Sequence, residues 1–328
     1  MRRIKIAHLG IAHDHSSNTM AALLDRPDLF EVVGICEPDE RMRREYDYFP
    51  VYKGLRWMSE EELLSRDDIE AVVCEGHELR SVSDAQKCID AGKFVHLDKP
   101  GGADLAAFGA LLDSAEAKGL SVQMGYMYRY NPAMVYMRAA VQSGRLGRIT
   151  SIDSSFSVQY DEKKKNWLRQ FGGGMMFFLG CHNIDMIMQL LGTPEDIESF
   201  NYSSGFENGG SLDNCFALLK YPGCVCTVRA SGVEPNGYGE RQLKVVGTLG
   251  AIKIQPLEQP TIVRETFYAD GLANPYREYS RSAFPGYLRS RYDDMMAEFA
   301  ALVRGEIKNP WSKEYEYAVQ KAVLEVSR

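Results

Sequence analysis

Up to residue 123 the chain alternates short apolar runs with segments whose apolar residues return at helical spacing. "RIKIAHLG" precedes "SSNTMAALLDR", and "FEVVGICEP" precedes "DERMRREYDYF". "IEAVVCEG" then leads to "SVSDAQKCIDAG", "KFVHLDKP" to "DLAAFGALLDSAEAKG", and "LSVQMGY" closes the series. Strands separated by crossover helices predict a parallel, doubly wound sheet with right-handed connections. Such sheets bind ligands at the C-terminal ends of their strands. Those ends carry "HLGIAHDHS", Glu37, "EGH" with Gly76 and His77, and "DKP" with Asp98 and Lys99.

After "NPAMVYMRAAVQSGRLG" the pattern changes. "RITSIDSSFSVQY" alternates as a half-buried strand does, and a basic loop "DEKKKNWLRQF", a glycine run and an apolar helix "MMFFLGCHNIDMIMQLLG" follow. From about 195 to 268 the chain reads as strand and turn, with hairpin signals at "YPG" and "TLG". A polar, aromatic loop leads to two last helices, "YDDMMAEFAALVRG" and "KEYEYAVQKAVLEVS". The fold class expected is α/β. A Rossmann-type domain over 1–123 precedes an α+β domain over 124–328 with a large, mostly antiparallel open sheet, and the C-terminal helices are free to pack back on the first domain.

Composition narrows the partners. A net charge of −7 argues against nucleic acid and anionic membrane surfaces. No stretch approaches the roughly 18 apolar residues of a membrane span, and "MRRIKIAHLG" passes straight into a strand rather than a signal peptide. The seven cysteines are scattered without a framework, with Cys224 and Cys226 on one strand face. Reduced, buried thiols in a cytoplasmic protein are expected.

A dinucleotide loop of the form G-x-G-x-x-G has Gly10, Ala12 and His15 at its three key positions here. Gly10 supplies the tight turn, Ala12 still permits backbone approach, and Ser16 and Ser17 offer N-cap oxygens to the following helix. The alternatives are an ordinary strand–helix turn, or a metal site from His13, Asp14 and His15. The metal site is set aside because consecutive loop residues seldom converge without ligands from elsewhere. Glu37, at the end of the second strand, suits the adenosine ribose hydroxyls and repels a 2′-phosphate, which favours NAD over NADP.

Four further segments carry a resemblance. "AGKFVHLDKPGGADLAAF" resembles the "AGKhV…EKP" segment of the glucose–fructose oxidoreductase and inositol dehydrogenase (Gfo/Idh/MocA) family, with Asp98 in place of glutamate. "GGGMMFFLGCHNIDMIMQLLG" resembles that family's "GGGxLxDxGxHxxDxxxxLxG", and "GYMYRYNPA" and "SGRLGRITSI" resemble its interdomain segments. The resemblance runs from residue 4 to about 310. It implies NAD(P), a sugar, cyclitol or similar polyol oxidised or reduced at a secondary hydroxyl, and assembly into a homodimer or homotetramer through the C-terminal sheet. It assigns Lys99 as the catalytic lysine and His182 as the catalytic histidine. Arg129 falls where cofactor and substrate meet, and Trp167 and Arg169 fall in a loop reaching over the nicotinamide or substrate.

The chemistry agrees with those two assignments. Removing a hydride from a secondary alcohol also requires a base for the hydroxyl proton, a role imidazole fills near neutral pH. An ammonium beside the carbinol oxygen stabilises developing alkoxide. Asp185, three residues after His182, shares its helix face and is placed to orient the imidazole or contact substrate. Arg129 reads equally well as an interdomain salt bridge. Tyr126 and Tyr128 suit sugar contacts or the core, and Lys163 to Lys165 read as a solvated run or as a draw for an anionic sugar acid. The cofactor contacts expected are Gly10, Ile11, Ala12, His13, His15, Glu37, Gly76, His77, Asp98, Lys99, Trp167 and Arg169; the substrate contacts are Tyr126, Arg129, Lys99, His182 and Asp185.

Three departures from the family pattern stand out. The loop lacks two glycines. "GHELRS" replaces "T-P-N-x-x-H", leaving Ser81 at the histidine and His77 at the proline. Phe178 stands where the family places an aspartate, which argues against a plain inositol dehydrogenase. The expectation is an NAD-dependent oxidoreductase acting on a sugar, sugar acid or cyclitol, with no metal. Its rivals are a non-catalytic NAD-binding sensor and an enzyme that uses bound NAD transiently for elimination or hydrolysis.

Overall fold

The computed structural model describes residues 2–205, 210–258, 260–268, 280–286 and 290–328. Most of the polar, aromatic loop anticipated before the last helices lies outside them. The chain divides into two compact units, Met1–Met127 with Arg289–Gln320, and Tyr128–Leu288 with Lys321–Arg328.

The first unit contains β1 (Ile4–Leu9), α1 (Ser16–Leu24), β2 (Phe30–Cys36), α2 (Glu40–Tyr46), α3 (Glu60–Ser65), β3 (Ala71–Cys74), α4 (Ser81–Asp90), β4 (Phe94–Leu97), α5 (Leu105–Ala117) and β5 (Val122–Met124). Its sheet is parallel throughout, in the order β2-β1-β3-β4-β5. The order reverses between β1 and β3, opening a crevice at their C-terminal ends. Both faces of a parallel sheet are covered by helices, and β3 is accordingly an unbroken buried run, Ala71, Val72, Val73 and Cys74. The α3 turn escaped the periodicity reading because only six residues form it; Ser59 starts it by accepting the N–H of Glu62.

The second unit holds α6 (Pro132–Gln142), β6 (Ile149–Ser157), α7 (Glu162–Leu168), α8 (Cys181–Leu191), β7 (Asp196–Tyr202), β8 (Asn214–Tyr221), β9 (Cys224–Ser231), β10 (Gln242–Gly247), β11 (Gly250–Ile254), β12 (Val263–Phe267) and β13 (Arg281–Ala283). Among the described residues these strands form one sheet, β13-β12-β11-β10-β6-β9-β8-β7, antiparallel except for β6 beside β9. The expected hairpins close at Tyr221↔Cys224 and Val246↔Ala251. Period-two alternation turns Cys215, Ala217 and Leu219 inward and leaves Phe216 outside, facing Phe200 across the β7–β8 pair. All seven cysteines are free and buried.

The basic segment after β6 is helix α7 rather than a loop. Asp161 caps it by accepting the N–H of Lys164. The lysine run is correspondingly not a uniform solvated stretch, for Lys165 is buried and the Lys164 ammonium stands 3.5 Å from the centre of the Trp167 ring.

The last two helices are α9 (Asp293–Val303), in the first unit, and α10 (Lys313–Val326), whose start lies in the first unit and whose end lies in the second. No helix among the described residues is long and apolar enough to cross a membrane.

Candidate functional site

The first unit's candidate residues gather at the C-terminal ends of β1 to β4. Gly10 follows β1 with φ of +85°, a conformation that L side chains rarely adopt. A Cβ there would lie 2.2 Å from the Gly76 Cα, so the two expected glycines press backbone against backbone. The Gly10 N–H donates to the Cys36 carbonyl and the His13 N–H to the Glu75 carbonyl, which ties the loop to β2 and β3. Glu37 accepts the N–H of Ile11 at 2.8 Å and that of Asp39 at 3.0 Å. Its carboxyl is raised above the usual range by burial, against the pull of those two N–H donors. Gly10, Gly76 and Glu37 thus bring together a close-packed turn and a carboxylate, two features of a dinucleotide cradle. We expect Gly10→Ala to abolish NAD(H) binding as read by protein-fluorescence quenching; unchanged affinity in that variant removes the cradle.

The loop's polar side chains depart from expectation. Ser16 does not cap α1: its hydroxyl donates to the Ile11 carbonyl and pairs with the Tyr52 hydroxyl, and α1 has no side-chain cap. Tyr52, packed with Ile11, Met20 and Ile35, fixes that hydroxyl. Asp14 is exposed, whereas His13 and His15 turn toward Asp98 from the end of β4, with Nδ1 to Oδ2 distances of 3.2 and 2.9 Å. The other oxygen of Asp98 accepts the backbone N–H of Lys99 at 2.7 Å. His77 is half-buried on the turn into α4, beside buried Gly76.

Burial sets the charge states here. It pushes His8 and His13 down to about 3 and lowers His15 and His96 as well, so these imidazoles are neutral at pH 7. Glu75 accepts from Thr19 at 2.6 Å and contacts His8 at 3.0 Å; burial first, and the nearby Asp98 second, raise it well above the carboxylate range. Burial alone would raise Asp98 too, but His13, His15 and the Lys99 ammonium together hold it well below that range. Lys99 itself is only 1% exposed, far from the surface lysine an isolated "DKP" might suggest. Its loop is held by Gln320 of α10, which accepts from the Gly101 N–H at 2.8 Å and donates to the Gly102 carbonyl. Sequence inspection missed Gln320, more than 200 residues away in the chain, and no local signal marks it. Tyr126 is fully buried beside these elements, as a core residue would be.

In the second unit α8 follows a π-helical turn, Met176–Gly180. Such turns widen the helix and re-aim the next side chains; a Cβ at Gly180 would meet the Met176 sulfur at 2.5 Å, so the two pack closely. His182 emerges just after this turn, 2% exposed, edge-on to Tyr128 at 5.1 Å and tilted over Phe156 at 5.6 Å. Asn183, bonded to Ser154 and to the Arg229 carbonyl, pins α8 to the sheet.

Asp185 is engaged by a guanidinium of its own unit. Its carboxylate accepts from the Arg129 guanidinium, Nε at 3.0 Å and Nη2 at 2.7 Å, and from Gln189 at 2.8 Å. A bidentate guanidinium is therefore the principal partner of a group expected to orient the imidazole or touch substrate. Arg129 is likewise paired within its own unit rather than across the domains. Phe178 packs against Trp167 at 5.0 Å and lies 6.5 Å from Phe171, so an apolar cluster fills the place of the family aspartate. Trp167 is half-buried and Arg169 exposed, both at the end of α7. Tyr128 is buried and linked to the Arg241 guanidinium at 3.5 Å.

Known proteins agree with this architecture. The model of the GFO/IDH/MocA C-terminal domain matches residues 134–253. The Escherichia coli oxidoreductase YhhX is 28% identical over 238 residues, 72% of this chain and 67% of that protein. Mouse trans-1,2-dihydrobenzene-1,2-diol dehydrogenase is 27% identical over 181 residues, 53% of this chain and 51% of its own, so the match spans only about half of that relative. The 3-ketoreductase KijD10 of Actinomadura kijaniata, solved with TDP-benzene and NADP, shares the fold with a TM-score of 0.77 at 19% identity, covering 99% of this chain and 96% of its own. The chain is thus similar to Gfo/Idh/MocA oxidoreductases, by the matched C-terminal domain over residues 134–253, by these relatives in sequence, and by its parallel and mixed sheets in fold.

Proposed function

We propose that this oxidoreductase uses NAD to interconvert a secondary alcohol and a ketone on a sugar, sugar acid or cyclitol. The observation that carries the reading is the loop of Gly10 against Gly76, with Glu37 held on the Ile11 N–H. When bound, nicotinamide supplies or accepts the hydride. Lys99 stabilises negative charge developing on the carbinol oxygen, and its burial in a low-dielectric setting strengthens that interaction. His182 takes up or returns the hydroxyl proton. Arg129 and Asp185, paired with each other, brace the segment around Tyr128 and α8 and hold the imidazole's platform rigid. Glu37 holds the adenosine ribose, and its charge disfavours a 2′-phosphate even though the structurally similar KijD10 was solved with NADP. The exposed Phe200, Tyr202, Phe216 and Val225 on one face of the large sheet make a surface that a second copy of the chain would cover.

The test is a panel of polyols, sugars and sugar acids with NAD and NADP, followed by NADH absorbance. A substrate turned over with NAD is expected, with Lys99→Met and His182→Ala each lowering kcat/KM by about 10²-fold or more. Glu37→Gln keeps an acceptor for Ile11 and removes the charge, so NADP use should rise relative to NAD. No turnover anywhere in the panel favours a sensor, and product without net NADH favours a transient use of the cofactor. Equal rates in wild type and His182→Ala overturn the proton role.

A further inference from the structure

We infer that His13, His15 and Asp98 form a binding site for one divalent transition-metal ion. One ligand atom from each of His13, His15 and Asp98 lies within 4.8 Å of the others. The two nitrogen–oxygen separations, 3.2 and 2.9 Å, approach the edge of roughly 3.3 Å that bonds of about 2.0–2.1 Å give around a tetrahedral ion. The loop histidines alone would not suffice. Asp98, arriving from the end of another strand, completes the set, and exposed Asp14 takes no part.

In one tautomer of His13, two acceptors of the cluster face each other. Nδ1 of His13 accepts the backbone N–H of His15 at 3.1 Å, so in that tautomer it presents a lone pair, not a proton, toward the Asp98 carboxylate. Two acceptors then face each other in a buried setting. Moving the proton to Nδ1 satisfies Asp98 and gives up the bond from the His15 N–H. An ion taking the Nδ1 lone pair relieves the facing acceptors in the same way, and it too gives up that bond. In either the metal-bound form or the first tautomer, Nε2 of His13 carries a proton; that atom has no hydrogen-bond partner among the described residues and lies 3.6 Å from Glu78 Oε1. A carboxylate behind a ligating histidine is the usual outer-shell arrangement.

Charge is consistent with this: Glu78 and Asp98 are buried at this end of the sheet beside the ammonium of Lys99. Two imidazoles and one carboxylate select zinc, cobalt, iron or manganese over magnesium or calcium. Three protein ligands leave a coordination position open, and the side chain of His15, 13% exposed, is the most solvent-accessible of the three. His13, His15 and Asp98 are also among the expected cofactor contacts, so metal and NADH are titrated separately to keep the two assignments apart.

The experiment uses the full, tag-free chain, stripped with chelator and titrated with Co²⁺ and then Zn²⁺. One equivalent of Co²⁺ should bind with visible d–d bands, and Zn²⁺ should displace it. Asp98→Asn and His15→Gln should each weaken binding by at least ~10²-fold, with circular dichroism melts confirming that each variant is folded. NADH affinity of the stripped protein is measured separately, so failure of one assignment leaves the other standing. Absence of one-to-one binding in the wild type, or equal affinity in both folded variants, overturns the site.

Discussion

Arg129→Ala should lower the stability of the protein by about 3–5 kcal/mol, read from urea denaturation at pH 7.5. The guanidinium and the Asp185 carboxylate are both essentially inaccessible to water and joined by two short contacts. Removing the cation leaves a buried carboxylate to which Gln189 still donates, and that desolvated charge is the main source of the loss. The pair itself need not be a large net gain over apolar residues, because burying two ions costs nearly what their attraction returns. Arg129→Met combined with Asp185→Leu should therefore recover most of the stability lost in the single variant. If the single variant loses less than about 1 kcal/mol, the carboxylate has water or another cation available and the pair is not a structural centre.

The second large effect is acid destabilisation in a window where most proteins are stable. In the unfolded chain each imidazole takes up a proton near pH 6.5. In the native state His8 and His13 resist protonation down to about pH 3, and His15 and His96 are shifted in the same direction. Protons therefore bind the unfolded state first, and the stability these groups contribute above pH 6.5 is lost as the pH falls. Each such histidine costs about 1.4 kcal/mol per pH unit, so at pH 5 His8 and His13 together remove about 4 kcal/mol, with His15 and His96 adding to it. Glu75 works in the opposite sense. Its raised native pKa means that the folded state gains a proton first, returning part of the loss as the pH falls. Thermal melts between pH 7.5 and 5 should show a steep decline in Tm, made shallower in His96→Asn. A flat profile would mean that these imidazoles are charged or solvated in the native protein.

The two sheets were legible because burial leaves its mark on periodicity. Continuous apolar runs of β3 type can survive only where helices cover both faces, and the alternation along β8 fits only a sheet with one inner face. Gly10 was legible for a steric reason: its backbone lies so close to that of Gly76 that it admits no Cβ. Local polar chemistry was less so. Ser16 had the composition of a cap, yet a hydroxyl bonds whichever partner is nearest after folding, and that partner is Tyr52. The basic stretch at 162–168 read as a loop because seven residues are too few to display helical periodicity.

By itself, then, the sequence determined the order of strands and helices, the inward faces of both sheets and the turn at Gly10, since each follows from spacing or excluded volume within a few residues. The tertiary structure alone decided which charged groups meet. Asp98 reaching the two loop histidines, Gln320 holding the segment after Lys99 and Arg129 closing on Asp185 join residues about 55 to more than 200 positions apart. Coulombic and hydrogen-bond energies depend on distance in space, and chain separation encodes none of it.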